Sequence, residues 1–250
     1  MQADLPRVFY EVYEGLPRQG PGSAESTAKA FAMLQGTPRR RMLDIGCGAG
    51  GQTLTLARLS GGHVTALDNH QPFLDSLNAK AAEEGLGGQV STVNRSMFDL
   101  PFAKGSFDLV WSEGAICIAG FERGLLDWRR LLAPDGYMAV SEAVWLKSSP
   151  PAELAEFWER EYPSMRTVKE DLAAIGRCGY ACVGHFTLPE SDWWQSYYHP
   201  LERRVAELRG RYAADKDALA VLDAVVREIP FYAKYSDWYG YEFYVMRAET

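Results

Sequence analysis

Histidine and cysteine are both scarce in this chain, with four of each in 250 residues. Neither falls at metal-ligand spacing. Cys178 and Cys182 stand three residues apart with no matching histidine pair, whereas zinc sites repeat paired ligands at short intervals. Reduced core thiols and no metal centre are expected. Four cysteines over this length also make no disulfide framework. Long apolar runs are missing: Gly114 to Phe121 is the best, far short of the ~18 residues of a membrane span. Met1 to Arg18 carries Asp4, Glu11 and Glu14 and has no apolar signal core, so a cytoplasmic, membrane-free protein is expected. A basic stripe is lacking too. The net charge is −7, which argues against nucleic acid as a main partner. Arg39-Arg40-Arg41 is the one basic run and reads as a solvated loop end. Repeats and low-complexity segments are absent.

What the chain does have is a glycine loop. Arg41-Met42-Leu43-Asp44-Ile45 reads as an apolar strand, Gly46-Cys47-Gly48-Ala49-Gly50-Gly51 follows, and Gln52 to Leu59 has helical character. Glycine lets the backbone turn sharply and lets a ligand approach it, while the helix start offers unpaired N–H groups and the positive end of a dipole. This is the nucleotide-cofactor arrangement of doubly wound folds. Gly46-x-Gly48-x-x-Gly51 fits a dinucleotide, and Gly46-x-Gly48-x-Gly50 fits S-adenosylmethionine.

Apolar residues make up 47% of the chain, enough for one large α/β domain. Further strands are expected at His63–Leu67, Gln89–Val93, Phe107–Trp111 and Tyr137–Val144, with helices at Pro72–Glu84 and Glu122–Leu132 and a turn at Ala133-Pro134-Asp135-Gly136. Strands that are apolar almost throughout, alternating with helices, imply a parallel sheet covered on both faces. Residues 1–35 read as an N-terminal arm and helix with Ser23 as N-cap, and 40–148 as the cofactor-binding core. Pro151–Tyr162 and Thr167–Gly176 read as extra helices, the second with a Thr167/Glu170 capping box. Strands follow at Tyr180–Leu188 and Tyr241–Arg247. Between them, residues 189–238 carry helical stretches Pro200–Tyr212 and Lys216–Ile229. That insertion is too long for a plain connection and is expected to cover the carboxyl edge of the sheet, where ligands bind.

Asp68 ends the second strand, where a carboxylate can accept both hydroxyls of an adenosine ribose and repels a 2′-phosphate. It supports a nucleoside without choosing between NAD and S-adenosylmethionine. Asp44, just before the glycines, suits the ammonium of a methionine moiety and is unhelpful beside a pyrophosphate. Arg18 is placed to reach a carboxylate of substrate or cofactor.

Leu43-Asp44-Ile45-Gly46-Cys47-Gly48-Ala49-Gly50, Asp68, Leu100-Pro101-Phe102, Phe107-Asp108-Leu109-Val110 and Leu132-Ala133-Pro134-Asp135-Gly136-Tyr137 together resemble the class I S-adenosylmethionine-dependent methyltransferases. The likeness covers about residues 40–145. The Arg18–Ser23 loop, the Trp111–Ala115 turn and the start of the helix at Phe121–Leu125 resemble a narrower group of bacterial small-molecule methyltransferases. The resemblance implies a Rossmann-like, seven-stranded, mostly parallel α/β sheet with helices on both faces and the last strand antiparallel, all in a single domain over 1–250. It implies Gly46, Gly48 and Gly50 along the methionine part, Asp44 at the amino group and Asp68 at the ribose. Many relatives carry Asp after strand three for the adenine amino group. This chain has Ser96 there, with Met97 expected to pack on the adenine. Glu113 and Gly114 approach the methionine end.

In-line transfer from a sulfonium asks the protein to align acceptor, methyl and sulfur and to keep water out. A general base is needed only for a protonated acceptor. Glu113, Glu142, His70, His185 and His199 are the candidates, with Glu113 ranked first. Tyr10, Tyr13, Trp145, Trp194 and Tyr197 are the expected acceptor-binding residues, suited to an apolar or planar small molecule or, by cation–π contact, to a cationic amine. A small-molecule methyltransferase leads the readings and is compatible with a homodimer. An NAD-dependent oxidoreductase and a non-catalytic nucleoside-binding module are the alternatives, ahead of a protein or nucleic-acid methyltransferase.

Overall fold

The computed structural model describes residues 6–34 and 40–249. Two helices, α1 (Arg7–Glu14) and α2 (Ala24–Ala32), precede the sheet. Ser23 caps α2, its hydroxyl accepting from Ser26 N at 3.1 Å. An alternating series follows: β1 (Arg41–Ile45), α3 (Gly51–Ser60), β2 (His63–Asp68), α4 (Gln71–Glu83), β3 (Val90–Asn94) and β4 (Phe107–Glu113). Next come α5 (Ile116–Ala119), α6 (Phe121–Arg129) and the long β5 (Leu132–Trp145). The remainder is α7 (Ala152–Glu161), a two-residue β6 (Arg166–Thr167), α8 (Val168–Arg177), β7 (Tyr180–Thr187), α9 (Glu190–Trp193), a π-helical turn (Trp194–Tyr198), α10 (His199–Arg211), α11 (Lys216–Val225), α12 (Ile229–Tyr235) and β8 (Tyr239–Ala248).

Seven strands run in the order β3-β2-β1-β4-β5-β8-β7, and β6 adds a short parallel pairing to the end of β5. The first five are parallel, and β8 is antiparallel to both β5 and β7. This is the expected Rossmann-like sheet with its last strand reversed. Central position explains the apolar strands: Met42, Leu43 and Ile45 of β1 are fully buried, with helices on both faces. The capping box of α8 forms as its spacing predicts, Thr167 Oγ1 accepting from Glu170 N at 3.3 Å and Glu170 Oε2 accepting from Thr167 N at 2.8 Å.

Three local expectations change. The Ala133–Gly136 turn lies inside β5, where the register against β4 shifts between Phe107 and Leu109 and Asp135 takes φ 60°. It is an irregularity in a strand rather than a turn that precedes one. The helix expected over Lys216–Ile229 ends at Val225, and α12 restarts with Pro230 in its first turn. The cover also starts differently: Trp194–Tyr198 is a π-helical turn.

A third apolar cluster sits apart from the two faces of the sheet. Val8, Val12 and Leu16 from the N-terminal arm pack with Leu154, Leu201, Leu208 and Leu222 of the later helices and with Tyr239. The arm and the late helices therefore share one core above the carboxyl ends of the strands.

Candidate active site

The glycine loop is built by β1 ending against β2. Gly46 N and Cys47 N both donate to Leu67 O, at 2.8 and 3.0 Å. Gly46, Gly48 and Gly50 all have positive φ, a region that costs any L side chain. Their missing side chains face different neighbours. A Cβ on Gly46 would lie 2.6 Å from Ala115 Cβ, and one on Gly48 would lie 2.3 Å from Gln19 Oε1. One on Gly50 would run into Leu77 Cδ1 at 2.2 Å. Gly50 thus serves the packing of α4 on α3 and does not line the cleft, against the expectation for it. Cys47 is buried, and burial with Asp44 and Asp68 nearby holds its thiol well above its ordinary range.

Beside the loop opens a cleft. Of the residues named for a cofactor site, Arg18, Gly46, Gly48, Asp68, Ser96, Met97, Glu113 and Gly114 line it. The Asp68 carboxylate accepts from Gly48 N and from His70 N, each at 2.9 Å. Desolvation outweighs those bonds and raises its pKa. Met97, Phe98, Phe73 and Ile118 form the apolar walls, and the Ser96 hydroxyl accepts from Phe98 N at 3.3 Å.

Asp44 is not on the cleft. It is fully buried beneath the loop, where it accepts from Thr53 Oγ1 at 2.6 Å and faces Gln52 Nε2 at 3.4 Å. Burial pushes its pKa up to about 7, and the Thr53 bond pulls the other way. It ties β1 to the first turn of α3 and so shapes the loop from below.

Glu113 is also committed. Its Oε1 accepts from Thr27 Oγ1 at 2.7 Å and from Trp111 Nε1 at 2.8 Å, and its Oε2 is ion-paired with the Arg18 guanidinium. Its side chain is 3% exposed. A carboxylate held by three donors is a poor proton acceptor for a substrate, so the expectation of Glu113 as base is withdrawn. Arg18 likewise is spent on Glu113. Next to it, Gln19 reaches over the loop: Oε1 accepts from Ala49 N at 2.7 Å, and Nε2 donates to Tyr13 O at 3.1 Å and faces Leu16 O at 3.3 Å.

A second cavity, about 560 Å³, lies under the arm and the late helices. Of the residues named for an acceptor, Tyr13 and Tyr197 line it, their hydroxyls 3.5 Å apart. Tyr10, Trp145 and Trp194 do not line it. Tyr10 stacks on His70 at 4.3 Å, Trp194 packs edge-on against Tyr198, and Trp145 packs against the cluster beneath the late helices. Trp193, another of the late aromatics expected at the acceptor, does line it, and Phe157, Trp158 and Tyr162 supply further walls. Gln19, Gly20, Pro21 and Gly114 line both cavities. At this junction Gly114 has φ 63° and donates its N–H to Ser141 Oγ at 2.9 Å, and a Cβ on it would sit 3.1 Å from Tyr241 Cε2. Two acids lie close by. Glu142 is buried, and desolvation pushes its pKa up to about 8 despite Tyr162. Glu228 lines the second cavity, and desolvation pushes its pKa up to about 7 against the Tyr198 and Tyr239 hydroxyls. His70 pairs with Glu14 at 2.7 Å, His185 with Glu242 at 2.5 Å, and His199 tilts against Trp194 at 5.5 Å. None of these histidines lines either cavity.

The model of a methyltransferase domain family matches residues 43–140, the segment from the glycine loop through most of β5. Over that segment the chain resembles the S-adenosylmethionine-dependent methyltransferases. A sterol 24-C-methyltransferase of Neurospora crassa is 29% identical over 171 residues, covering 64% of this chain and 45% of that protein. A glycine/sarcosine/dimethylglycine N-methyltransferase of Actinopolyspora halophila is 30% identical over 169 residues, covering 63% of this chain and 30% of that one. The chain therefore spans less than half the length of these curated relatives. A methyltransferase of Thiobacillus denitrificans, solved with S-adenosylhomocysteine, superposes with a TM-score of 0.84 at 24% identity, over 98% of this chain and all of that one. A Geobacter sulfurreducens methyltransferase, solved with the same ligand, gives 0.83 at 23%, over 97% and 98%. These likenesses carry the fold. The match of this segment to a methyltransferase model favours the Gly46/Gly48/Gly50 reading over the dinucleotide one. Gly51 is the first residue of α3, and a Cβ there would meet Arg18 at 3.2 Å.

Sequence reasoning missed Gln19, Tyr162, Tyr241 and Glu228. Gln19 had a signal, since it sits inside the Arg18–Ser23 loop already singled out. Tyr241 had none, because only the pairing of β8 with β5, Tyr241 opposite Ala143, brings it to the junction.

Proposed function

We propose that the protein transfers the methyl group of S-adenosylmethionine to a small-molecule acceptor. The observation that carries this reading is the meeting of two cavities at Gly114, one beside the glycine loop and one lined with aromatic rings. The cleft residues fit the donor. Asp68 keeps acceptor capacity for the ribose beyond the backbone N–H groups of Gly48, Asn69 and His70. Gly46 lines the cleft where the methionine part would lie, and its missing side chain lets the loop pack against Ala115. Met97, Phe98 and Ile118 bracket the adenine. Asp44 and the Arg18–Glu113 pair act by fixing the loop and the β4 turn.

When bound, S-adenosylmethionine supplies an activated methyl on a sulfonium. The chain's own part is alignment and the exclusion of water. The Gln19-Gly20-Pro21 segment closes over the junction, and Tyr241 walls it from the β8 side. In this reading the arm (1–35), the core (40–148) and the cover (189–238) work as one domain, the first and last supplying the acceptor side. Relatives named for sterol and for glycine methylation match 64% and 63% of the chain, and the four free thiols suit a cytoplasmic setting.

Titration calorimetry against S-adenosylmethionine, S-adenosylhomocysteine and NAD tests the donor. Binding of the first two and not the third is expected, and binding of NAD alone overturns the proposal. Formation of S-adenosylhomocysteine on incubation with metabolite fractions separates an enzyme from a binding module.

A further inference from the structure

We propose that the aromatic cavity takes a cationic amine as its acceptor, held among tyrosine and tryptophan rings with the Glu228 carboxylate as counter-charge. The inference rests on the methyltransferase reading of the neighbouring cleft.

The composition of the walls carries it. Eight of the lining residues are aromatic, Tyr13, Tyr162, Trp158, Trp193 and Tyr197 among them. The face of an aromatic ring attracts a cation, tryptophan most strongly. The charged residues on the lining are Glu161, Arg227 and Glu228. Arg227 Nη1 lies 3.2 Å from Glu161 Oε1, with both side chains about half exposed, so these two neutralise each other at the rim. That leaves Glu228, whose enclosed Oε1 has only neutral neighbours, the Tyr198 and Tyr239 hydroxyls, and no cation among the described residues to balance its charge. An anionic acceptor would meet rings and a carboxylate, with the one lining arginine already paired. A wholly apolar acceptor would desolvate Glu228 and return nothing for it. A cation satisfies both the rings and the acid.

The same placement handles the proton. An ammonium in the cavity passes one proton to the Glu228 carboxylate and becomes a neutral amine. Its nitrogen lone pair then forms the N–C bond to the methyl group, and the electron pair of the breaking C–S bond stays on sulfur. The product is a methylated ammonium, and the carboxyl releases its proton to water. A pKa near 7 on Glu228 suits that exchange at neutral pH.

Binding of choline and of its uncharged isostere 3,3-dimethyl-1-butanol, measured by calorimetry with S-adenosylhomocysteine present, tests the proposal. Choline is expected to bind at least tenfold tighter. Glu228→Gln should abolish that preference, Glu228→Asp should keep part of it, and both variants should bind S-adenosylhomocysteine as the parent does. Equal affinity for the two probes overturns the inference, as does a preference that survives in Glu228→Gln. If Glu228→Gln fails to fold, as judged by circular dichroism, the parent comparison alone still decides. The two readings fail separately: no charge preference in the parent with intact S-adenosylhomocysteine binding removes only the cationic acceptor, whereas no S-adenosylhomocysteine binding removes the methyltransferase reading itself.

Discussion

Arg18 and Glu113 form an ion pair across the cofactor cleft, with side chains 11% and 3% exposed. The pair joins the N-terminal arm to the end of β4, and Thr27 and Trp111 complete the shell around the carboxylate. Breaking one side of a buried pair leaves the other charge stranded, at a cost of about 3–5 kcal/mol, while replacing both can be nearly neutral. Arg18→Met and Glu113→Leu should therefore each destabilise strongly, and the double variant should recover much of the loss. Urea unfolding in a double-mutant cycle measures this. Additive losses would mean that the two residues act independently.

Glu113→Gln addresses the chemistry separately. An amide keeps the acceptor for Thr27 and Trp111 but cannot take a proton. Since three donors already occupy the carboxylate, turnover per folded, cofactor-loaded molecule should fall by less than about tenfold, where loss of a general base typically costs about 10²–10⁴-fold. A larger fall at unchanged S-adenosylhomocysteine affinity would restore Glu113 as the base.

Asp68→Ala should weaken S-adenosylhomocysteine binding by about 1–3 kcal/mol, because it strands Gly48 N–H and His70 N–H as well as the ribose hydroxyls. Calorimetry reads the change directly. An affinity equal to the parent's would remove Asp68 from the site.

The donor half was legible in the sequence because its chemistry is local. A strand, positive-φ glycines and an acid at the next strand end are fixed by residues close in the chain, and the sheet order follows from their alternation. Asp44 was misread for the same reason: adjacency to the loop says nothing of depth, and only the packing of Thr53 and Gln52 shows that its carboxylate points inward. The acceptor half depends on long-range contact. Tyr13 meets Tyr197 across most of the chain, and Tyr241 reaches Gly114 only through the pairing of β8. Among so many late aromatics, no spacing separates the rings that line the cavity from Trp145 and Trp194, which pack behind it.

Tyr241 should separate binding from turnover. Its ring stands against Gly114 where the two cavities meet. Tyr241→Ala removes that wall without touching a donor contact. Turnover with any identified acceptor should fall by about tenfold or more while S-adenosylhomocysteine affinity stays within about twofold, since misalignment of reacting groups is costly. Equal losses in both would place Tyr241 in the donor site instead.

Glu142 makes a prediction about pH. Its carboxyl titrates near 8 in the folded protein, raised chiefly by burial, against an ordinary value of 4.5. Between these values the unfolded chain is ionised and the folded one holds the proton, so the folded state binds more protons and stability falls as pH rises. The contribution is fully present below about pH 4.5 and is lost progressively up to about pH 8. The slope over that window is at most about 1.4 kcal/mol per pH unit for one group. Asp44 and Glu228, each near 7, add slopes of the same sign over a narrower range. Glu142→Gln removes one ionisation while preserving the side chain's size. Urea midpoints taken from pH 5 to pH 8 should decline in the parent and decline less in the variant, with the variant gaining on the parent toward pH 8. Parallel declines in the two proteins would show that Glu142 is already ionised in the fold, and the burial argument for its raised pKa would fail.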